Sequence, residues 1–230
     1  MTIYKNKRLS KAGREGKKKP IDSIEKKEWI FVKTPMNFGS NIFGHTLLNK
    51  STSSIPNINN KIFNVSLADI NENEKDSFVK IKLKGSKLEY GDLLGFENEK
   101  KCLTDFYGSE ITRDKLSSMV KKWQTTIESA IDIKTEDGFF LRIFWIAFSK
   151  KKKGQLKKAF YLNSSQIRAI RRKISEIILQ ITNKRILANL LIGDIYFSRH
   201  INNQIVRVCR KIAPIHSFYF RKIKMLKEKR

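Results

Sequence analysis

The chain has 230 residues, enough to bury a real core in one large domain or two small ones. Its 48 Lys+Arg stand against 22 Asp+Glu, a net charge of +26 with a pI of about 10.1. Self-repulsion at that charge asks for a nearby polyanion, so nucleic acid is the expected partner and a membrane surface the weaker alternative. Cys102 and Cys209 are too few for a disulfide framework or a four-ligand zinc site. His45, His200 and His216 show no metal-ligand spacing. No apolar secretory core opens the chain and no uninterrupted apolar run reaches about 18 residues, so the expected setting is a reducing compartment without a membrane span.

The charge is unevenly spread. Residues 1–20 hold 8 basic and 1 acidic side chain, residues 21–137 hold 17 and 18, and residues 138–230 hold 23 and 3. The first segment has too little apolar surface to fold alone, and is expected to be a disordered basic arm. Lys5, Lys7, Arg8, Lys11, Arg14, Lys17, Lys18 and Lys19 would order along phosphates there, with Gly13 and Gly16 letting backbone approach RNA. Residues 21–230 read as one domain.

Trp29 to Lys33 is the first predicted strand, ended by Thr34-Pro35. Residues 36–60 read as loops around a short element near Gly44 to Leu48. Lys61 to Leu67 alternates, and Phe78 to Lys84 does so more cleanly, with Val79, Ile81 and Leu83 opposite Lys80, Lys82 and Lys84. Residues 85–100 read as an exposed acidic loop, and residues 101–107 as another strand.

The central stretch, residues 102–153, organises the rest. Thr112 can cap a helix with Asp114 in its first turn, and Leu116, Met119, Val120, Trp123 and Ile127 share one face at helical spacing. The helix is expected to give way near Ser129 to a strand over Ile131 to Thr135. Glu136-Asp137-Gly138 reads as a hairpin turn, and Phe139 to Phe148 as a return strand covered on both faces. Leu116, Met119, Val120, Trp123, Phe144 and Ile146 are assigned to the core. A basic run, Lys150 to Lys153, follows directly.

Beyond it, residues 155–162 are expected to add a strand. A long helix carries Ile167, Ile170, Ile174, Ile177, Ile178 and Ile181 as an apolar stripe. Arg168, Arg171, Arg172 and Lys173 crowd its first half, against the helix dipole, which a phosphate partner would explain. Ile186 to Ile192 reads as a short helix, residues 199–211 as another ended by Pro214, and His216 to Lys224 as the last strand. The expected fold is α+β: a mostly antiparallel, β-barrel-like core with flanking amphipathic helices.

No phosphate-binding glycine loop, metalloprotease motif or nucleophile elbow is present. Glu136 and Asp137 are accounted for by the turn, and Asp69, Glu72, Glu74 and Asp76 do not fit a calcium loop. No catalytic residue, metal or cofactor is therefore expected. What remains is binding through phosphate contacts, which add up without reading sequence. The folded basic face is assigned to Lys150, Lys151, Lys152, Lys153, Lys157, Lys158, Arg168, Arg171, Arg172, Arg221, Lys222 and Lys224. No aromatic pair or single-strand stacking platform stands out, which favours folded, helical RNA as the ligand.

These residues also carry a resemblance. Lys5-Asn6-Lys7-Arg8-Leu9, Val65-Ser66-Leu67-Ala68-Asp69, Cys102-Leu103-Thr104-Asp105-Phe106-Tyr107-Gly108 and Thr112-Arg113-Asp114-Lys115 recur in order. Ser118-Met119-Val120-Lys121-Lys122-Trp123-Gln124-Thr125, Lys134-Thr135-Glu136-Asp137-Gly138, Gln166-Ile167-Arg168 and Arg221-Lys222-Ile223-Lys224 complete the series. The chain resembles the small-subunit ribosomal protein family called eS-one, formerly S-three-A-e, in its eukaryotic branch. Residues 183–213 match that family poorly. The resemblance implies a structural, non-enzymatic protein on the platform of the small subunit near the mRNA exit. It implies contacts with small-subunit rRNA, with neighbouring platform proteins and with mRNA near the exit, and no homo-oligomer. It also implies cytoplasmic ribosomes as the location, after nucleolar passage during assembly. The rival reading is a free-standing RNA-binding or chaperone-like regulator that only visits the ribosome.

Overall fold

The computed structural model describes residues 24, 26–39, 42–49, 58, 61–71, 74–90, 100–182 and 199–227. The basic arm, most of the predicted 85–100 loop and the predicted helix over Ile186 to Ile192 lie outside them. Among the described residues eight strands form one sheet: β1 (Lys27–Lys33), β2 (Ile42–Asn49), β3 (Ile62–Ser66), β4 (Val79–Tyr90), β5 (Lys100–Ile111), β6 (Thr126–Lys134), β7 (Phe140–Ser149) and β8 (Ile215–Lys227). Among the described residues four α-helices accompany them: α1 (Leu67–Asn71), α2 (Arg113–Met119), α3 (Ser164–Thr182) and α4 (Arg199–Cys209).

The long strand β5 is where the sheet forks. Along one side it pairs antiparallel with β4, whose outer neighbour is β3. Along the other it pairs first with β1, in parallel, and then with β8. One branch ends in β2 and the other runs β8-β7-β6. Gly108 makes the β5–β8 contact possible, because a Cβ there would lie 2.7 Å from the carbonyl oxygen of Ile223.

The sheet is thus mostly antiparallel but open; among the described residues β6 does not pair with β2 or β3, so the expected barrel does not close. The reason lies in what covers its apolar side. The isoleucine stripe of α3 places Ile170, Ile174, Ile177 and Ile178 in the main core, against Ile127, Ile133, Leu141, Ile143 and Trp145. Helix α3 lies along β6 and α4 along β8, so helices cover the apolar face of these strands. A smaller core of Ile30, Val32, Leu48, Ile58 and Cys102 sits under the β1–β2 branch.

The β6–β7 hairpin forms as its turn chemistry predicts. Gly138 adopts φ +88, Thr135 donates its N–H to the Phe139 carbonyl at 2.9 Å, and Gly138 closes the turn onto Thr135 at 3.0 Å. Strand β7 alternates from Phe140 to Phe144, with Arg142 exposed, and is buried at every position only from Trp145 to Ser149. The register shift between Phe144 and Trp145 marks the change.

The helix expected to run from Thr112 to near Ser129 stops at Met119. Val120 is already extended, and Trp123 adopts φ +72. Gln124 donates its side-chain amide to the Met119 carbonyl at 2.7 Å, satisfying a group at the helix end. Val120 and Trp123, assigned to the core, are therefore exposed, and Leu116 and Met119 half-buried, while Ile127 is buried from strand β6 instead. Residues 155–162 form no strand; a single bridge joins Phe160 to Gln124.

Candidate nucleic-acid interface

The basic run leaves the sheet at Ser149, which is buried and fixed on three sides. Its N–H donates to the Thr125 carbonyl at 3.1 Å, and its hydroxyl accepts from the Thr125 N–H at 2.8 Å. The same hydroxyl donates to the Phe160 carbonyl at 3.1 Å. Next in line, Lys150 donates its N–H to the Pro214 carbonyl at 2.9 Å, tying the root of the run to the start of β8. The far end turns back at Gly154, with φ +77, a conformation glycine adopts without penalty. Gln155 then gathers the return path, donating to the carbonyls of Ala159 at 2.7 Å and Lys157 at 3.2 Å.

Four consecutive exposed lysines therefore follow a backbone tied down at its root, at Ser149 and Lys150. A concave surface lies between them and Arg210, Val206 and Pro214, and a second adjoins Tyr161, Asn163 and Gln166 on the other side. Among the described residues no carboxylate lines either surface, and none of the four lysines has an acidic partner. Ammonium groups held close together repel one another in water, and a string of phosphates relieves that repulsion by displacing counter-ions. Lys157 and Lys158 belong to the same loop; the Lys158 ammonium sits 5.3 Å from the centre of the Trp123 ring.

A family model described as the Ribosomal S3Ae family matches residues 15–229. The chain belongs to the ribosomal S3Ae family. It is accordingly a ribosomal protein of the small subunit, an RNA-binding part of a ribonucleoprotein that serves translation. The match spans every strand and helix described above.

Within this S3Ae chain the other nominated basic residues fall into separate surroundings. Arg168, Arg171 and Arg172 are exposed on α3, and Arg171 donates to the Glu128 carbonyl on β6 at 3.0 Å. Arg221 reaches the Glu128 carboxylate at 2.6 Å. It is the extra residue of a bulge, since Phe144 pairs with Lys222 and Trp145 with Phe220. Lys222 lies 3.2 Å from Glu110, which also takes Lys82 at 3.0 Å. Burial pushes the Glu110 carboxyl up, but hydrogen bonds and charge from Lys82 and Lys222 outweigh it and hold the group below its ordinary value. Nearby, the Arg142 guanidinium holds the Asp132 carboxyl below the usual carboxylate range through paired contacts of 2.5 and 2.7 Å. Lys224 is exposed, its ammonium 5.8 Å from the centre of the Phe144 ring.

The S3Ae fold thus gathers Lys150 to Lys153, Lys157 and Lys158 into one loop, whereas Arg221 and Lys222 already have acidic partners in the sheet. Lys5, Lys7, Arg8, Lys11, Arg14, Lys17, Lys18 and Lys19 lie outside the described residues. Arg210, not nominated from sequence, completes the lysine surface from the C-terminal end of α4. Its signal was its position on the outward side of a helix that Pro214 ends. Of the acidic residues, Glu136 and Asp137 occupy the β6–β7 turn and Asp69 lies on α1. Among the described residues no three His, Cys, Asp or Glu side chains gather as metal ligands would.

Proposed function

We propose that this protein is a structural constituent of the small-subunit platform near the mRNA exit, holding folded rRNA through phosphate contacts without doing chemistry. One observation carries the reading: Lys150 to Lys153 stand on a loop pinned at Ser149 and Lys150, facing surfaces that no carboxylate lines among the described residues. A pinned cationic loop loses little conformational freedom when it meets a fixed polyanion, which suits permanent assembly better than transient encounter. In this reading residues 21–230 act as one domain, and the arm of residues 1–20 follows an rRNA groove. Neighbouring platform proteins and mRNA leaving the subunit are the other partners, on cytoplasmic ribosomes reached through nucleolar assembly.

Sedimentation of cell extract through sucrose gradients at high salt tests it. Stoichiometric retention on the small subunit is the expected result. Release at modest salt would instead favour a regulator that visits the ribosome.

A further inference from the structure

The β1–β2 branch carries a surface that the lysine loop does not account for. On β1, residues Lys27, Trp29, Phe31 and Lys33 point to one side, because Ile30 and Val32 fill the smaller core on the other. The register places Leu47 opposite Trp29 and His45 opposite Phe31. Trp29 is 67% exposed, far beyond what an indole in a packed sheet shows, and His45 is exposed beside it. The rings of Phe31 and His45 are 4.5 Å apart at their centres.

The lateral neighbours add charge. In parallel register β5 sets Lys101 beside Phe31 and Leu103 beside Lys33, and β4 then adds Lys87 and Glu89. Among the described residues this face therefore carries an aromatic row with Lys27, Lys33 and Lys87 and the Glu89 carboxylate at its margins. Trp29 and Phe31 are two residues apart on a strand, about 6.6 Å. An extended, unstacked polynucleotide can follow such steps, laying a base on each ring while lysines meet its phosphates.

We infer that this face, centred on Trp29, Phe31 and His45, binds unpaired RNA by base stacking. The inference goes beyond the proposed platform role, because the lysine loop meets phosphates of helical RNA whereas this face needs bases freed from pairing. A docking protein would find the apolar rings but would have to bring acidic groups to the surrounding lysines. Unpaired RNA satisfies rings and lysines together.

The test compares the full chain with Trp29→Ala, Trp29→Phe and a Lys150→Gln/Lys151→Gln/Lys152→Gln/Lys153→Gln variant. Fluorescence anisotropy reads binding to an unstructured oligouridine and to a blunt RNA duplex, and circular dichroism confirms that each variant is folded. Trp29→Ala is expected to bind the oligouridine about 5- to 150-fold more weakly, with duplex binding within about twofold of the parent. Trp29→Phe should recover most of the loss, since a ring remains. The quadruple variant should show the reverse preference, losing chiefly duplex binding. Equal oligouridine affinity for parent and Trp29→Ala would overturn the inference and leave the platform reading standing. A parent that binds neither RNA would overturn both.

Discussion

Lys222 and Glu110 are paired across strands: they face each other in the register of β8 and β5, 3.2 Å apart, and Lys82 closes on the same carboxylate from β4 at 3.0 Å. Glu110 is one of few acidic groups on a cationic sheet, and it links three strands at the fork. Its carboxyl gives up a proton more readily when folded than when unfolded, where its ordinary value is 4.5. A depressed value means that the stabilisation is whole above about pH 4.5 and is lost as pH falls through the lower folded value. Glu110→Gln should destabilise the protein by roughly 0.5–1 kcal/mol near neutral pH, a small figure because the pairs are partly in water. The two proteins should converge at strongly acidic pH. Urea unfolding at both pH values checks this, and a pH-independent difference would show that the carboxylate charge is not the cause.

Ser149 is the pin of the lysine loop. Ser149→Ala removes the acceptor of the Thr125 N–H and the hydroxyl that reaches the Phe160 carbonyl. The loss should be about 1–3 kcal/mol, since Ser149 is buried and its partners are partly so. The local effect is more telling: amide exchange at Phe160 and Leu162, whose N–H groups bond Trp123 and the Thr125 hydroxyl, should accelerate beyond the global change. Exchange rising only in step with global stability would mean that the loop is held elsewhere.

Two glycines offer a matched comparison. A Cβ at Gly108 would press within 2.7 Å of the Ile223 carbonyl oxygen, whereas at Gly154 it meets nothing within 4 Å but must accept φ +77. Gly108→Ala should cost about 1–3 kcal/mol by forcing β5 from β8. Gly154→Ala should cost about 1–2 kcal/mol from backbone strain alone. Thermal melts give both numbers, and crystallography of Gly108→Ala should show the strands displaced. An unchanged β5–β8 spacing with full stability would refute the close-approach argument.

The thiols should be inert in the folded protein. Burial pushes both Cys102 and Cys209 up to about 11, and both lie in apolar cores. Reaction with iodoacetamide at neutral pH should be slow until denaturant is added, because the thiolate is the reactive form. Rapid native labelling, read by intact mass, would contradict this burial.

What the sequence made legible was local. The β6–β7 hairpin carries its own turn signal, and α3 a nineteen-residue amphipathic pattern, so both were readable in place. The stretch after Met119 was not. Val120 and Trp123 fit helical spacing, yet the chain turns through a left-handed tryptophan held by Gln124, and apolar periodicity carries no trace of that. Residues 155–162 look strand-like, but Ser149 and Thr125 take the backbone groups of Phe160 and Leu162 that a neighbouring strand would need. At the site, four consecutive lysines announce themselves. The partners of Arg221 and Lys222 depend on a bulge and on strand register, and the grouping of His45 with Trp29 and Phe31 depends on the β1–β2 pairing. These are long-range facts.

That division separates two kinds of basic residue by experiment. Lys151 and Lys152 are exposed and have no acidic partner among the described residues, so Lys151→Gln with Lys152→Gln should leave stability within about 0.5 kcal/mol. The same change should flatten the logarithmic salt dependence of RNA binding by about 0.7–0.9 for each phosphate that the loop no longer neutralises. Arg221→Gln should do the opposite. It breaks the 2.6 Å pair with Glu128, costing about 0.2–1 kcal/mol of stability, and leaves the salt slope unchanged. Filter binding over a series of salt concentrations, beside urea unfolding of the same variants, measures both quantities. If Arg221→Gln flattens the slope as much as the loop variant, the guanidinium shares itself between Glu128 and phosphate, and the sheet surface belongs to the RNA interface too.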